Sequence, residues 1–130
     1  VAVVPKDHKL AGYNDVSIEE LAEYPQVIFN KGSGLRLEID ELFEKAKVTP
    51  EVLYTVDEDG ALAGLVALGF GVGIVPNVAA VRNENTITLP IRDLNYKRYI
   101  YMATVKNKYQ SPIVRQFIKF VQENHEIKSV

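Results

Sequence analysis

At 130 residues, 47% hydrophobic and 25% charged, with fifteen Lys+Arg against seventeen Asp+Glu for a net charge of −2, the chain has the composition of an ordinary globular segment of one or two lobes. The absence of cysteine excludes a disulfide framework and a thiolate metal site, and is compatible with a reducing cytoplasm. The cations are dispersed rather than gathered into a stripe, so this segment is not expected to grip nucleic acid itself.

The chain opens on "VAVVPKDHK", without an initiator Met or the regions of a signal peptide, and is read as a piece of something longer. Val1 to Val4 forms a short apolar strand that Pro5 stops, because proline has no N–H for the ladder. After a polar loop, "DVSIEELAEYP" brings helix-start signals together. Ser17 is the N-cap, Glu20 completes a capping box, Val16 is placed to staple against Leu21, and Pro25 ends the short helix. "QVIF" (26–29) reads as a buried strand and "NKGSG" (30–34) as a loop feeding the next helix. That helix sets Leu35, Ile39, Leu42, Phe43 and Ala46 on one face, with most of its charges elsewhere. "EVLYTV" (51–56) is β-branched and aromatic, hence a strand, and Asp57, Glu58 and Asp59 are candidate caps of the helix that follows.

From Gly60 to Val81 no charged residue occurs, a run long enough to suggest a membrane span. Its five glycines, Pro76 and Asn77 argue against one, and no membrane partner is expected. The glycines instead punctuate a helix (61–68), a left-handed cap at Gly69 with Phe70 making the accompanying hydrophobic contact, and a buried strand (71–75). Glycine in that strand permits close backbone approach, Pro76 terminates it, and Asn77 is placed to cap another short helix. A dinucleotide fingerprint is excluded, since it would follow a strand and open a helix, the reverse of this order. "TITLPI" (86–91) and "RYIYMATV" (98–105) read as strands, and Ser111-Pro112 opens a last helix with Ile113, Val114, Phe117, Ile118 and Val121 on its apolar face.

Strands alternating with helices predict an α/β architecture, Rossmann-like, with a mainly parallel sheet and right-handed crossovers. Ligands of such sheets bind beyond the carboxyl ends of the strands. Those ends are Asn30, Lys31, Gly32 and Ser33 after the second strand, Asp57 to Asp59 after the third, and Pro76-Asn77 after the fourth. Val1–Val4 and Arg98–Val105 look like outliers, and Pro5 and Pro90 sit near points where a chain would leave one lobe and return to it.

Taken in order, "VAVVPKDHKLAG", "VSIEELAEYPQVIF", the Ser-Gly loop, "IDELFEKAKVTPEVLYTVDEDGALAGLVALGFGVGIVP", "LPI", "YIYMATVKN" and "SPIVRQFIKFV" resemble the C-terminal effector-binding domain of LysR-type transcriptional regulators. The resemblance implies a two-lobed fold like type 2 periplasmic binding proteins, with a small-molecule inducer in the cleft between regulatory lobes. Residues 8–91 would form the second lobe, and 1–7 with 92–130 would form parts of an incomplete first lobe. It also implies a winged helix-turn-helix N-terminal to this segment as the sole route to DNA. A cytoplasmic location, a homodimer or higher oligomer with effector domains side by side, no catalysis and no cofactor follow from the same comparison.

Ser33 is the leading effector contact. Its hydroxyl and the N–H groups of Gly34 and Leu35 lie at a helix N-terminus, which attracts an organic or inorganic anion. Family members place effector contacts in the loop that resembles Asn30–Gly34. The plainer role for Ser33 is an N-cap worth about 1 kcal/mol. Arg36 opposes the helix dipole there; a bound anion would account for it, and so would an Arg36–Asp40 pair, which is favoured. Lys31 reads as a solvated loop lysine sooner than a ligand. Asp57 and Asp59 would repel an anion and suit amino or hydroxyl donors, so the charge of the effector stays open.

His8 and His125 are the only histidines, lack metal-ligand spacing, and are expected at the surface. No G-x-S-x-G, cysteine nucleophile or Walker loop is present, which leaves an enzyme reading without a catalytic constellation. Tyr99 and Tyr101 read as packing residues sooner than a base-stacking platform. A solute-binding protein of the same architecture is the alternative to the regulator, distinguished by a signal peptide upstream.

Overall fold

The structure is a computed structural model that describes residues 1–92, 94, 96 and 101–124. The chain divides into two compact units, Val1–Tyr96 and Lys97–Val130.

The first unit has five strands: β1 (Ala2–Pro5), β2 (Gln26–Phe29), β3 (Val52–Val56), β4 (Gly73–Ile74) and β5 (Thr86–Leu89). Its helices are α1 (Ile18–Ala22), α2 (Gly34–Lys45) and α3 (Asp59–Ala67). β2 and β3 pair in parallel, while β1 lies between β4 and β5 and runs antiparallel to both. Val27 N–H donates to Val72 O at 2.8 Å and Val72 N–H to Pro25 O at 2.9 Å, which lays β2 beside the lead-in to β4. The α/β class therefore holds, but the expected mainly parallel sheet is corrected to a mixed one. Val1–Val4 is no outlier either. Both of its edges are occupied by strands of the 8–91 segment, so it lies in the same compact unit and not apart from it.

Local signals explain most element ends. Ser17 Oγ accepts from Glu20 N–H at 3.1 Å and Glu20 Oε2 accepts from Ser17 N–H at 2.7 Å, the reciprocal capping box that satisfies two orphan donors of α1. α3 ends in a Schellman motif: Gly69 N–H donates to Val66 O at 2.8 Å, Phe70 N–H donates to Leu65 O at 3.2 Å, and Gly69 sits at φ 79°. The Phe70 ring meets Tyr54 edge-on at 5.3 Å. The expected strand over 71–75 contracts to Gly73–Ile74, although Val72 to Val75 are all buried. Val78, not Asn77, occupies the cap position of the short 3-10 turn Ala79–Val81.

The core is one cluster between sheet and helices. Val3, Val4, Val16, Leu21, Val27, Phe29, Leu62, Val66 and Val72 are essentially inaccessible, and Ile39 and Phe43 of α2 point into the cluster as their spacing predicts. Gln26 and Thr86 are buried polar residues, and Gln26 is the more deeply buried. It is buried within β2, and its Nε2 donates to Leu21 O at 2.6 Å and Tyr24 O at 2.8 Å, which removes the cost of an unpaired amide.

His8 caps the 3-10 turn Lys9–Gly12, its Nδ1 accepting from Leu10 N–H at 3.2 Å, and its ring meets Tyr24 edge-on at 4.5 Å. Partial burial, and secondarily the charge of Lys9, lower its pKa below the ordinary 6.5. The unfolded chain then binds this proton more readily than the folded one. Stability is expected to fall as pH drops through about 6.5 toward the folded value, and to be restored above it. Urea midpoints at about pH 7.5 and about pH 5.5 check this, with the drop reduced in His8→Asn, which keeps an acceptor for Leu10 N–H but does not titrate.

In the second unit, α4 (Pro112–Glu123) starts as expected, with Pro112 in its first turn after Ser111. None of its residues is buried; Ile113, Val114, Phe117 and Phe120 are exposed. The expected strand over 98–105 is corrected where it can be seen, since Tyr101–Val105 is irregular and Tyr101 is 82% exposed. Arg98, Tyr99 and Ile100 lie outside the described residues, as does His125.

Candidate functional site

β2, β3 and β4 run the same way, so the residues after each share one edge of the sheet. The structure brings two of the expected site residues into direct contact there. Asn30 Nδ2 donates to Asp57 Oδ1 at 2.6 Å, and Asn30 N–H donates to Val56 O at 2.8 Å. Asn30 thus fastens the exit of β2 to the exit of β3, while its own Oδ1 and the second Asp57 oxygen have no donor among the described residues. Pro76 follows β4 at the same edge, Asp59 opens α3, and Lys31, Gly32 and Gly34 are exposed around the turn.

Ser33 occupies the N-cap position of α2, yet its hydroxyl makes no capping hydrogen bond. The turn is held by backbone instead, with Ser33 N–H donating to Asn30 O at 2.9 Å and Arg36 N–H to Ser33 O at 3.1 Å. The hydroxyl is left half-buried and uncommitted beside the free N–H groups of the first helical turn.

Arg36 is held by the protein itself. Its Nε reaches both oxygens of Asp40, at 2.8 and 3.0 Å, and its Nη1 donates to Phe29 O at 3.0 Å. The Asp40 pair is the one its i, i+4 spacing predicts; the bond to Phe29 O is not legible from helix spacing, because it spans the turn to the end of β2. Through it, Arg36 ties both ends of the Asn30–Ser33 turn together and is committed without any anion.

The edge therefore presents hydrogen-bonding groups of both kinds: a hydroxyl and helix N–H donors from one side, carboxylate and amide oxygens from the other. This composition suits a small polar molecule carrying both acceptors and hydroxyl donors. Among the described residues, no three His, Cys, Asp or Glu side chains converge as ion ligands, and no helix is long and apolar enough to cross a membrane.

A family model described as the LysR substrate binding domain matches residues 1–126. The chain belongs to this LysR family. Among curated relatives, the HTH-type transcriptional regulator YybE of Bacillus subtilis is 31% identical over 118 residues, covering 91% of this chain and 40% of the relative. YnfL of Escherichia coli, also an HTH-type regulator, is 32% identical over 120 residues, covering 90% and 40%. The chain thus spans about 40% of the length of these relatives. Among solved structures, the effector binding domain of QuiR in complex with shikimate has a TM-score of 0.87 and 35% identity, over 95% of this chain and 59% of that one. The CcmR regulatory domain of Synechocystis PCC6803 in complex with 2-PG has a TM-score of 0.85 and 25% identity, over 98% and 63%. The LysR chain described here is accordingly an effector-binding domain with the type 2 periplasmic-binding-protein-like fold, and its relatives are transcriptional regulators.

Proposed function

We propose that this LysR domain binds a small hydroxylated carboxylate at the carboxyl edge of β2, β3 and β4, with Asn30, Lys31, Gly32, Ser33, Gly34, Asp57, Asp59 and Pro76 forming one wall of the site. The observation that carries the reading is the Ser33 hydroxyl, positioned at the first turn of α2 but not used to cap it. A carboxylate accepts from that hydroxyl and the adjacent N–H groups, while hydroxyls of the same ligand donate to Asp57 and to Asn30 Oδ1. This division of labour resolves the conflict of signs between an anion-attracting helix end and the acids at 57–59. The similar domain that holds shikimate, itself a carboxylate with several hydroxyls, supports the same class.

In this reading the domain has no catalytic role. Effector occupancy shifts the population of an oligomer whose DNA-binding portion belongs to the rest of the protein, through differential affinity for its states. Residues 8–91, with β1 at their centre, correspond to the second regulatory lobe; Lys97 onward belongs to the first; and the whole acts in the cytoplasm. The matched relatives are transcriptional regulators, which does not favour a solute-binding protein.

Calorimetric titration of the full-length regulator with shikimate as the probe tests the site. Ser33→Ala is expected to weaken binding roughly 10- to 100-fold, the loss of a hydrogen bond to a charged group, with almost no change in melting temperature because no cap is lost. A lowered melting temperature with unchanged affinity would make Ser33 a structural residue. If the wild type does not bind shikimate, the proposed ligand class fails in its simplest form.

A further inference from the structure

β1 runs against β4, so its end at Pro5 lies at the pole opposite Asn30, Asp57 and Pro76, beside the starts of β2 and β4. A cavity of about 250 Å³ opens there, lined by Pro5, His8, Tyr24, Leu53, Phe70 and Val72. Pro25, Gly69 and Gly71 complete its lining, with Gly69 at φ 79° and Gly71 at φ 148°. We propose that this cavity is a second ligand site of the domain, taking a small neutral aromatic molecule that carries one hydrogen-bond acceptor.

Three observations select that class. Among the described residues no charged side chain lines the cavity, so a charged ligand would lose its hydration without a counter-ion there. The walls are aromatic and aliphatic, and the volume lies just below the range of drug-sized pockets, which limits the occupant to roughly one ring and a short substituent. The polar function is set by His8. Its Nδ1 is engaged as an acceptor by Leu10 N–H, so the proton of the neutral ring sits on Nε2, and that N–H has no protein acceptor among the described residues. A carbonyl or hydroxyl oxygen on the ligand supplies one. The site is independent of the effector reading above and does not use Ser33 or its turn.

The probe pair is acetophenone and ethylbenzene, alike in size and differing in the acceptor oxygen, titrated into the full-length regulator by ligand-observed NMR. Saturable acetophenone binding is expected with Kd on the order of 1 mM, as suits a ligand of this size, and ethylbenzene should bind about five- to tenfold more weakly. Leu53→Trp, at a half-exposed position on the wall, should abolish binding of both, and His8→Phe, which keeps a ring but has no N–H to donate, should bring acetophenone down to ethylbenzene's level. Ser33→Ala should leave both unchanged. Four outcomes overturn the proposal: no saturable binding by the wild type, equal affinity for the two probes, binding indifferent to Leu53→Trp, or dissociation of the oligomer by Leu53→Trp, which would make this face a subunit contact. The first two need no variant to fold.

Discussion

Gly71→Ala is expected to destabilise the domain by about 3 kcal/mol or more, measured as a lowered urea midpoint with an unchanged slope. Two independent penalties meet at this position. The backbone sits at φ 148°, where an L side chain is strained, and a Cβ would stand 2.5 Å from Pro25 O and 3.1 Å from Pro25 C. Those neighbours are backbone, anchored by Val72 N–H donating to Pro25 O at 2.9 Å, so relief requires moving the start of β2 away from the lead-in to β4. Gly73→Ala should be costly as well, through crowding without the backbone strain. Its added Cβ would meet Leu62 Cδ2 at 2.6 Å, where Leu62 is fully buried, and the backbone Val27 O at 2.8 Å. A measured cost for Gly71→Ala below about 1 kcal/mol would mean that the β2–β4 junction is more compliant than this geometry allows.

Phe29→Ala should cost about 3–5 kcal/mol, a large part of the stability of a domain this small. Phe29 is 1% exposed and is the largest of the fully buried side chains, so truncation removes both its transfer free energy and the contacts lining the space it leaves. A second consequence distinguishes this substitution from other core truncations. The Phe29 carbonyl receives Arg36 Nη1, and the candidate turn Asn30–Ser33 begins at the next residue. Slack at Phe29 therefore loosens the base of the turn, and probe affinity should fall even at a temperature where the variant remains folded. Leu21→Ala, also in the core but remote in sequence from that turn, should lower stability with little effect on affinity, as titrations of both variants well below their melting temperatures would show.

Much of this domain was legible because its signals are local. Ser17 and Glu20 face each other across a single turn, and Gly69 and Phe70 close α3 within five residues, so composition and spacing suffice to predict both. The glycines at 71 and 73 were also readable as points of close backbone approach, although not which atoms approach them. The location of β1 was not readable. Four apolar residues before a proline look alike at any position in a sheet, and its partners are chosen by segments far along the chain. The candidate site divides in the same way. Ser33 could be assigned to the start of α2 by its position, but whether its hydroxyl caps depends on the path of the turn, which Arg36 and Asn30 set through contacts to Phe29 and Asp57. The Asn30–Asp57 bond requires the parallel register of β2 against β3, in which Phe29 pairs with Val56, and periodicity alone carries no register.

The placement of β1 also bears on how the protein is made. Ala2 pairs with Ile74 on one side and Leu89 on the other, so the strand at the centre of its sheet is translated long before either neighbour. On the ribosome its two hydrogen-bonding edges and its two valines stay unsatisfied until residues near 89 have emerged, whereas β2, α2 and β3 can assemble as soon as they are clear. Pairings so distant in sequence are expected to make closure of this sheet slow, and to leave the nascent chain open to chaperones and to aggregation before it.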